Sequence, residues 1–129
     1  MQLILGKFIA IGVGAAIGAW LRWGLSCGLN GFFPRFPLGT LLSNLLGGFG
    51  VGVALAYFLV QRNLSPHAQL FIITGLLGGL TTFSTFSSEV SLLLLRGEYL
   101  SGMALAAAHV LGSLLLTLAG FASFRALLS

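Results

Sequence analysis

Residues 75–91 read GLLGGLTTFSTFSSEVS, between an apolar LFII run at 70–73 and LLLL at 92–95. Three glycines, seven Ser/Thr hydroxyls, two Phe and one Glu thus fall in the middle of an oily stretch. Gly75, Gly78 and Gly79 are poor helix formers, and the β-branched Thr81, Thr82 and Thr85 weaken the helix further. The pattern predicts a helix that stops near Gly78 and restarts near Thr82. Backbone broken at membrane depth is tolerated only where it is buried in protein or lines a cavity. The two half-helix ends are then ion sites: carbonyls of the first half attract a cation, and the N–H end of the second favours an anion.

The setting of that stretch is a membrane. Of 129 residues, 57% are hydrophobic and only 6% are charged, against about a quarter charged in a soluble domain. The polar residues are too few to cover a water-exposed surface. The net charge of +4 comes from basic residues scattered singly, so no basic face for nucleic acid can be built. Cys27, the lone cysteine, excludes an intrachain disulfide and cannot make a metal site alone. The N-terminal apolar run continues past residue 20 with no cleavage-like site, so it is taken as a first membrane helix and not a signal peptide.

Four stretches reach the roughly 20 apolar residues that a span requires: about 3–27, 38–60, 68–95 and 100–126. All three prolines fall in the breaks NGFFPRFP (30–37) and QRNLSPH (61–67), where Ser65 is placed as a helix cap before Pro66. The expected fold is therefore all-α and integral to the membrane, one domain over residues 1–129 with a broken third helix. Gly14 with Gly18, and Gly48 with Gly52, form close-packing pairs that serve either the bundle or subunit association. Four spans put both termini on one side, with Lys7, Arg62 and Arg125; the other side holds Arg22, Arg35 and Arg96. This balance gives the positive-inside rule no preference. It predicts insertion in both orientations and a working unit that pairs one of each.

Ser84, Ser87, Ser88 and Ser91 share one helical face, with Thr85 close beside it. Packing and back-bonding to the i−4 carbonyl would account for one or two such hydroxyls. A stripe of five in so apolar a chain points to function. Phe83 and Phe86, three apart, share a face, and a Phe ring has a positive edge. A small hard anion stripped of water fits between ring edges on one side and donors on the other. Asn44, the one Asn within a predicted span, is a candidate donor, and Ser113 and Thr117 continue a donor row on the last span. His109, one turn before Ser113, is read as structural.

These residues resemble a known family. GTLLSNLLGGFGVG (39–52) and TGLLGGLTTFSTFSSE (74–89) look like signature segments of the Fluc (CrcB) fluoride channels of microbes, and GAAIGAWLRW (14–23) is similar to their first helix. The resemblance implies a fluoride-selective channel, passive, that lets cytoplasmic fluoride escape and so reduces its toxicity. It implies an antiparallel, dual-topology homodimer in the cell membrane (the inner membrane in a Gram-negative source), surrounded by lipid. It further implies a structural sodium ion at the dimer centre, held by the backbone carbonyls of Gly78 and Thr81. The anion path implied runs by Asn44, Phe83 and Phe86, by Ser84, Thr85 and Ser87, and by Ser113 and Thr117. Arg22 and Glu89 match charged positions near the pore mouths. Leu77 departs from a Cys found in many relatives, and Leu105 from an aromatic found in some.

Two other classes share features with this chain. A small multidrug-type, proton-coupled exporter is also a four-helix dual-topology dimer, but it requires a carboxylate on the first helix. Here the only acids are Glu89 and Glu98. A non-transporting assembly protein explains the glycine pairs and leaves the hydroxyls beside two Phe without a purpose. No carboxylate pair, metal cluster or activated nucleophile marks an enzyme.

Overall fold

The computed structural model describes residues 1–61 and 65–128. Arg62, counted in the charge balance, lies outside the described residues. Helix α1 (Gln2–Leu29) ends at Asn30, whose Oδ1 accepts the Gly39 N–H at 2.7 Å and draws the next helix back alongside. Helix α2 (Leu38–Val60) begins directly after Pro37. Helix α3 (Pro66–Gln69) starts as the sequence predicts: Pro66 opens the first turn and Ser65 Oγ accepts the His67 N–H at 3.2 Å. The chain continues as a π-helical segment (Leu70–Leu77) and a short α4 (Gly78–Leu80), then breaks and resumes as α5 (Phe83–Leu95). Gly97, at φ 78°, makes the left-handed turn into α6 (Tyr99–Ala126). Arg35 Nε lies 3.3 Å from Glu98 Oε2 and ties the α1–α2 loop to that turn.

Four helical spans, Gln2–Leu29, Leu38–Val60, Pro66–Leu95 and Tyr99–Ala126, are long and apolar enough to cross a membrane. They match the four predicted stretches to within two residues at each end. The bundle is oily outside, and its interior mixes polar with apolar side chains. Thr40, Ser43, Asn44 and His109 are buried along with Leu77, Phe86 and Leu105, while Trp20, Trp23, Leu95 and Leu115 are exposed. Large apolar side chains turned outward suit lipid as the solvent.

The glycine pairs act within the chain. A Cβ on Gly14 would stand 2.5 Å from the Phe71 carbonyl oxygen, and one on Gly18 would run into the Leu76 carbonyl oxygen. Across the same contact, a Cβ on Gly79 would stand 2.5 Å from the Ala15 carbonyl oxygen. Thus α1 and the first half of the third span meet backbone to backbone. Gly52 is equally pressed against Thr117 of α6, and Gly120 against Phe49 of α2. Such contacts bring dispersion attraction that larger residues would forfeit.

The break falls later than the sequence predicts. Gly78 is helical (φ −65°, ψ −36°), and the helix runs on to Leu80. The extended residues are Thr81 (φ −83°, ψ 151°) and Thr82 (φ −149°, ψ 118°). The restart comes where expected, with Thr82 Oγ1 accepting the Thr85 N–H at 3.2 Å as the N-cap of α5. The correction has a packing cause. Gly75 and Gly79 keep a helical backbone because α1 lies against them, so their low propensity is overridden. The residues that leave the helix are β-branched, and Thr82 finds its backbone partner outside it, on α2.

Candidate functional site

The main partner is Asn44. Its Oδ1 accepts the Thr82 N–H at 2.7 Å, and its Nδ2 donates to the Thr82 carbonyl at 3.0 Å. One side chain of α2 thus pairs with the extended peptide of Thr82 as a neighbouring strand would. The same Nδ2 lies 3.0 Å from His109 Nδ1 on α6. Asn44 is thus the residue that holds the break, and its Nδ2 stands within hydrogen-bond distance of both Thr82 O and His109 Nδ1.

An open pocket of about 370 Å³ forms around this point. It brings together five of the predicted site residues, Asn44, Thr81, Phe83, Phe86 and Ser113. The two rings meet edge to face, with centroids 5.2 Å apart. Phe86 is 8% exposed and lies against the His109 ring at 4.6 Å, whereas Phe83 is 77% exposed. Two faces of one pocket therefore differ: one packed, one open along the surface of the single chain.

The hydroxyls divide into two groups. Thr82 Oγ1 donates to Thr85 Oγ1 at 3.1 Å and stands 3.3 Å from Ser84 Oγ, forming a cluster at the start of α5. Ser84, Ser87, Ser88 and Ser91 lie on an exposed face outside the pocket. On α6, Thr117 Oγ1 donates to the Ser113 carbonyl at 2.8 Å, the back-bonding that a membrane Thr commonly makes, and it does not line the pocket.

The carbonyls of the break are left over by the same bonds. In an unbroken helix, Gly78 O would accept from Thr82 N–H, and Thr81 O from Thr85 N–H. Here Thr82 N–H goes to Asn44 and Thr85 N–H goes to Thr82 Oγ1. Neighbouring carbonyls are served: Leu77 O accepts from Thr81 N at 3.0 Å and Thr81 Oγ1 at 2.9 Å, and Gly79 O accepts from Arg22 Nε at 3.2 Å. Arg22 thus sits at the end of α4. Glu89, the other charged candidate, accepts from Thr40 Oγ1 at 2.6 Å through Oε1, while its Oε2 is buried with no hydrogen-bond partner among the described residues.

Two polar residues escaped the sequence reading. Thr40 and Ser43 are buried on α2 beside Asn44, in a row with Gly47 and Gly48 at helical spacing that was legible as one small, polar face. His109 is buried, 3.0 Å from Asn44 Nδ2 and packed on Phe86, as its structural reading expects, and it also lines the pocket.

Four membrane-crossing helices, with an open pocket at the break of the third, define a multi-pass membrane protein. Residues 9–121 match the family described as CrcB-like protein, Camphor Resistance (CrcB). The chain belongs to that family. Its relatives include proteins named fluoride-specific ion channel FluC from Thiobacillus denitrificans (54% identical, covering 92% of this chain and 95% of the relative) and Pseudomonas putida (54%, covering 94% and 95%). Another, from Cupriavidus metallidurans, bears the same name (54%, covering 93% and 95%).

Proposed function

We propose that this chain is a fluoride-selective ion channel through which cytoplasmic fluoride leaves passively, lowering its toxicity. One observation carries the reading: Phe83, Phe86 and Ser113 converge on a pocket at a helix break, in a chain about half identical to proteins named fluoride-specific ion channels. Fluoride is strongly hydrated, so a path for it must replace water with many weak donors in a narrow space. Positive ring edges and hydroxyls are such donors. The path runs past Asn44, Phe83, Phe86 and Ser113 and continues along Ser84, Thr85, Ser87 and Thr117. Arg22 and Glu89 mark its charged ends. The relatives' names are those of channels, which are not enzymes. The proton-coupled exporter reading lacks its acid, since α1 contains neither Asp nor Glu.

The working unit in this proposal is an antiparallel homodimer. Support comes from the balanced charges and from α5, whose serine face and Phe83 are uncovered in the single chain. A sodium ion at the dimer centre would be held by the carbonyls of Gly78 and Thr81. Those oxygens fit a hard cation, because the N–H groups that would occupy them in a helix are bonded elsewhere. Two copies would supply four such oxygens. The ion's contribution is positive charge at the centre of a structure that passes anions.

The test in cells is growth. A bacterial strain lacking its own fluoride exporter should regain growth on fluoride when it expresses this chain. No rescue at normal membrane abundance of the protein would contradict the reading.

A further inference from the structure

Arg22 reaches the break from α1. Its Nε donates to the Gly79 carbonyl at 3.2 Å, between residues 57 apart in the chain. The contact follows from the packing of α1. Gly14, Gly18 and Arg22 succeed one another at intervals of four and so share one face of that helix. The glycines press this face onto the third span: a Cβ on Gly18 would stand 2.6 Å from Leu80 N. The next turn of α1 then brings the guanidinium to the end of α4, where helix carbonyls carry partial negative charge. Arg22 is half-buried, and among the described residues it stands in no ion pair. A guanidinium keeps its charge in proteins, so a fixed positive charge meets carbonyl oxygen here and no carboxylate.

Gly78 and Thr81, whose carbonyls the sodium reading uses, flank Gly79 in the chain. Carbonyl oxygens alone do not single out a monovalent ion, because calcium is also a hard cation that takes backbone carbonyls as ligands. Among the described residues, no carboxylate lines the pocket at the break, and no cluster of His, Cys, Asp or Glu could hold a metal. The nearby fixed charge is therefore that of Arg22. Its repulsion of a bound cation scales with the ion's charge and is about twice as large for a divalent ion as for sodium. We propose that Arg22 sets the charge selectivity of the cation site: its guanidinium on Gly79 O, beside the Gly78 carbonyl, lets a monovalent ion bind and turns a divalent one away. The proposal rests on the sodium reading and adds to it the residue that determines specificity. In an antiparallel pair the two guanidinium groups act together. The same hydrogen bond takes Gly79 O out of the ligand set.

The test uses the full-length dimer in detergent, freed of sodium and held in fluoride-free buffer. Sodium chloride or calcium chloride is added at constant ionic strength, and thermal unfolding and dimer content are followed. The parent should be stabilised by sodium and far less by calcium. In Arg22→Gln, the ratio of the calcium to the sodium concentration needed for half the effect should fall about tenfold or more, while Arg22→Lys, which keeps the charge, should retain the parent's preference. A site that is merely damaged loses both ions together and shows no gain for calcium. Calcium stabilising the parent as well as sodium does overturns the assignment, whatever the variants do. So does an Arg22→Gln dimer with the parent's ratio, with sodium or calcium binding lost alike, or an Arg22→Lys dimer that takes calcium as readily as Arg22→Gln. In each case a parent stabilised by sodium leaves the sodium reading standing. A parent dimer indifferent to both ions overturns the sodium reading, and the assignment falls with it.

Discussion

Phe83 and Phe86 touch edge to face but have different surroundings, and that difference separates ring chemistry from ring bulk. Phe83 is largely exposed on the single chain, so Phe83→Ile removes little packing there. Phe86 is buried against His109, and Phe86→Ile should cost about 1 kcal/mol or somewhat more. Both variants should fold, yet fluoride flux should fall about tenfold or more in each, since roughly 1.4 kcal/mol on a transport barrier is tenfold. Phe124 packs edge-on to Tyr57 at 5.7 Å, away from the pocket, and Phe124→Ile should leave flux unchanged. Efflux per folded protein, with folding checked by gel filtration, decides the matter; normal flux through both pocket variants would leave the rings as packing. The Phe pair was legible because it stands in one short stretch beside hydroxyls. The partner of His109 was not. Its bond to Asn44 joins residues 65 apart, and such a contact exists only once α2 and α6 have packed.

At the scale of the element, the third span shows why the glycines were legible and their purpose was not. Propensity alone makes GLLGG a helix breaker, but close contact with α1 requires small residues and keeps them helical. This separates neighbours. A Cβ on Gly79 would meet Ala15 backbone at 2.5 Å, so Gly79→Ala should destabilise by about 2 kcal/mol or more. A Cβ on Gly78 meets only Ile73 O at 3.5 Å, and Gly78→Ala should be neutral within one chain or favourable by about 0.5–1 kcal/mol. Thermal unfolding of the two variants in detergent is the check; equal loss would mean that the α1 contact is misread. Thr81→Ser keeps the hydroxyl that bonds Leu77 O at 2.9 Å and should leave both fold and flux near normal. Asn44→Asp keeps the acceptor for Thr82 N–H but loses both donated bonds, to Thr82 O and to His109. With neutral bonds worth about 1 kcal/mol each, it should lose about 2 kcal/mol of stability and most of its flux. Unfolding and efflux unchanged from the parent would contradict the role given to Asn44 at the break.

At the scale of the whole molecule, the four spans followed from length and composition, because lipid imposes a nearly uniform requirement on each. Their partners did not follow, because α1 pairs with the third span and α2 with α6 through glycine contacts specific to the folded chain. Orientation is a whole-molecule property as well. Adding two or three Lys at positions 62–67 should drive nearly all copies to insert one way round, which removes antiparallel pairing and lowers activity. Co-expression with an oppositely biased variant should restore it, and full activity from a population of one orientation would refute the proposed pairing. The central claim is selectivity, and it is tested most directly by purified protein in liposomes with fluoride and chloride efflux recorded side by side under the same potential. The account predicts rapid fluoride efflux with chloride retained. Equal efflux of the two anions, or none of either from folded protein, would contradict it.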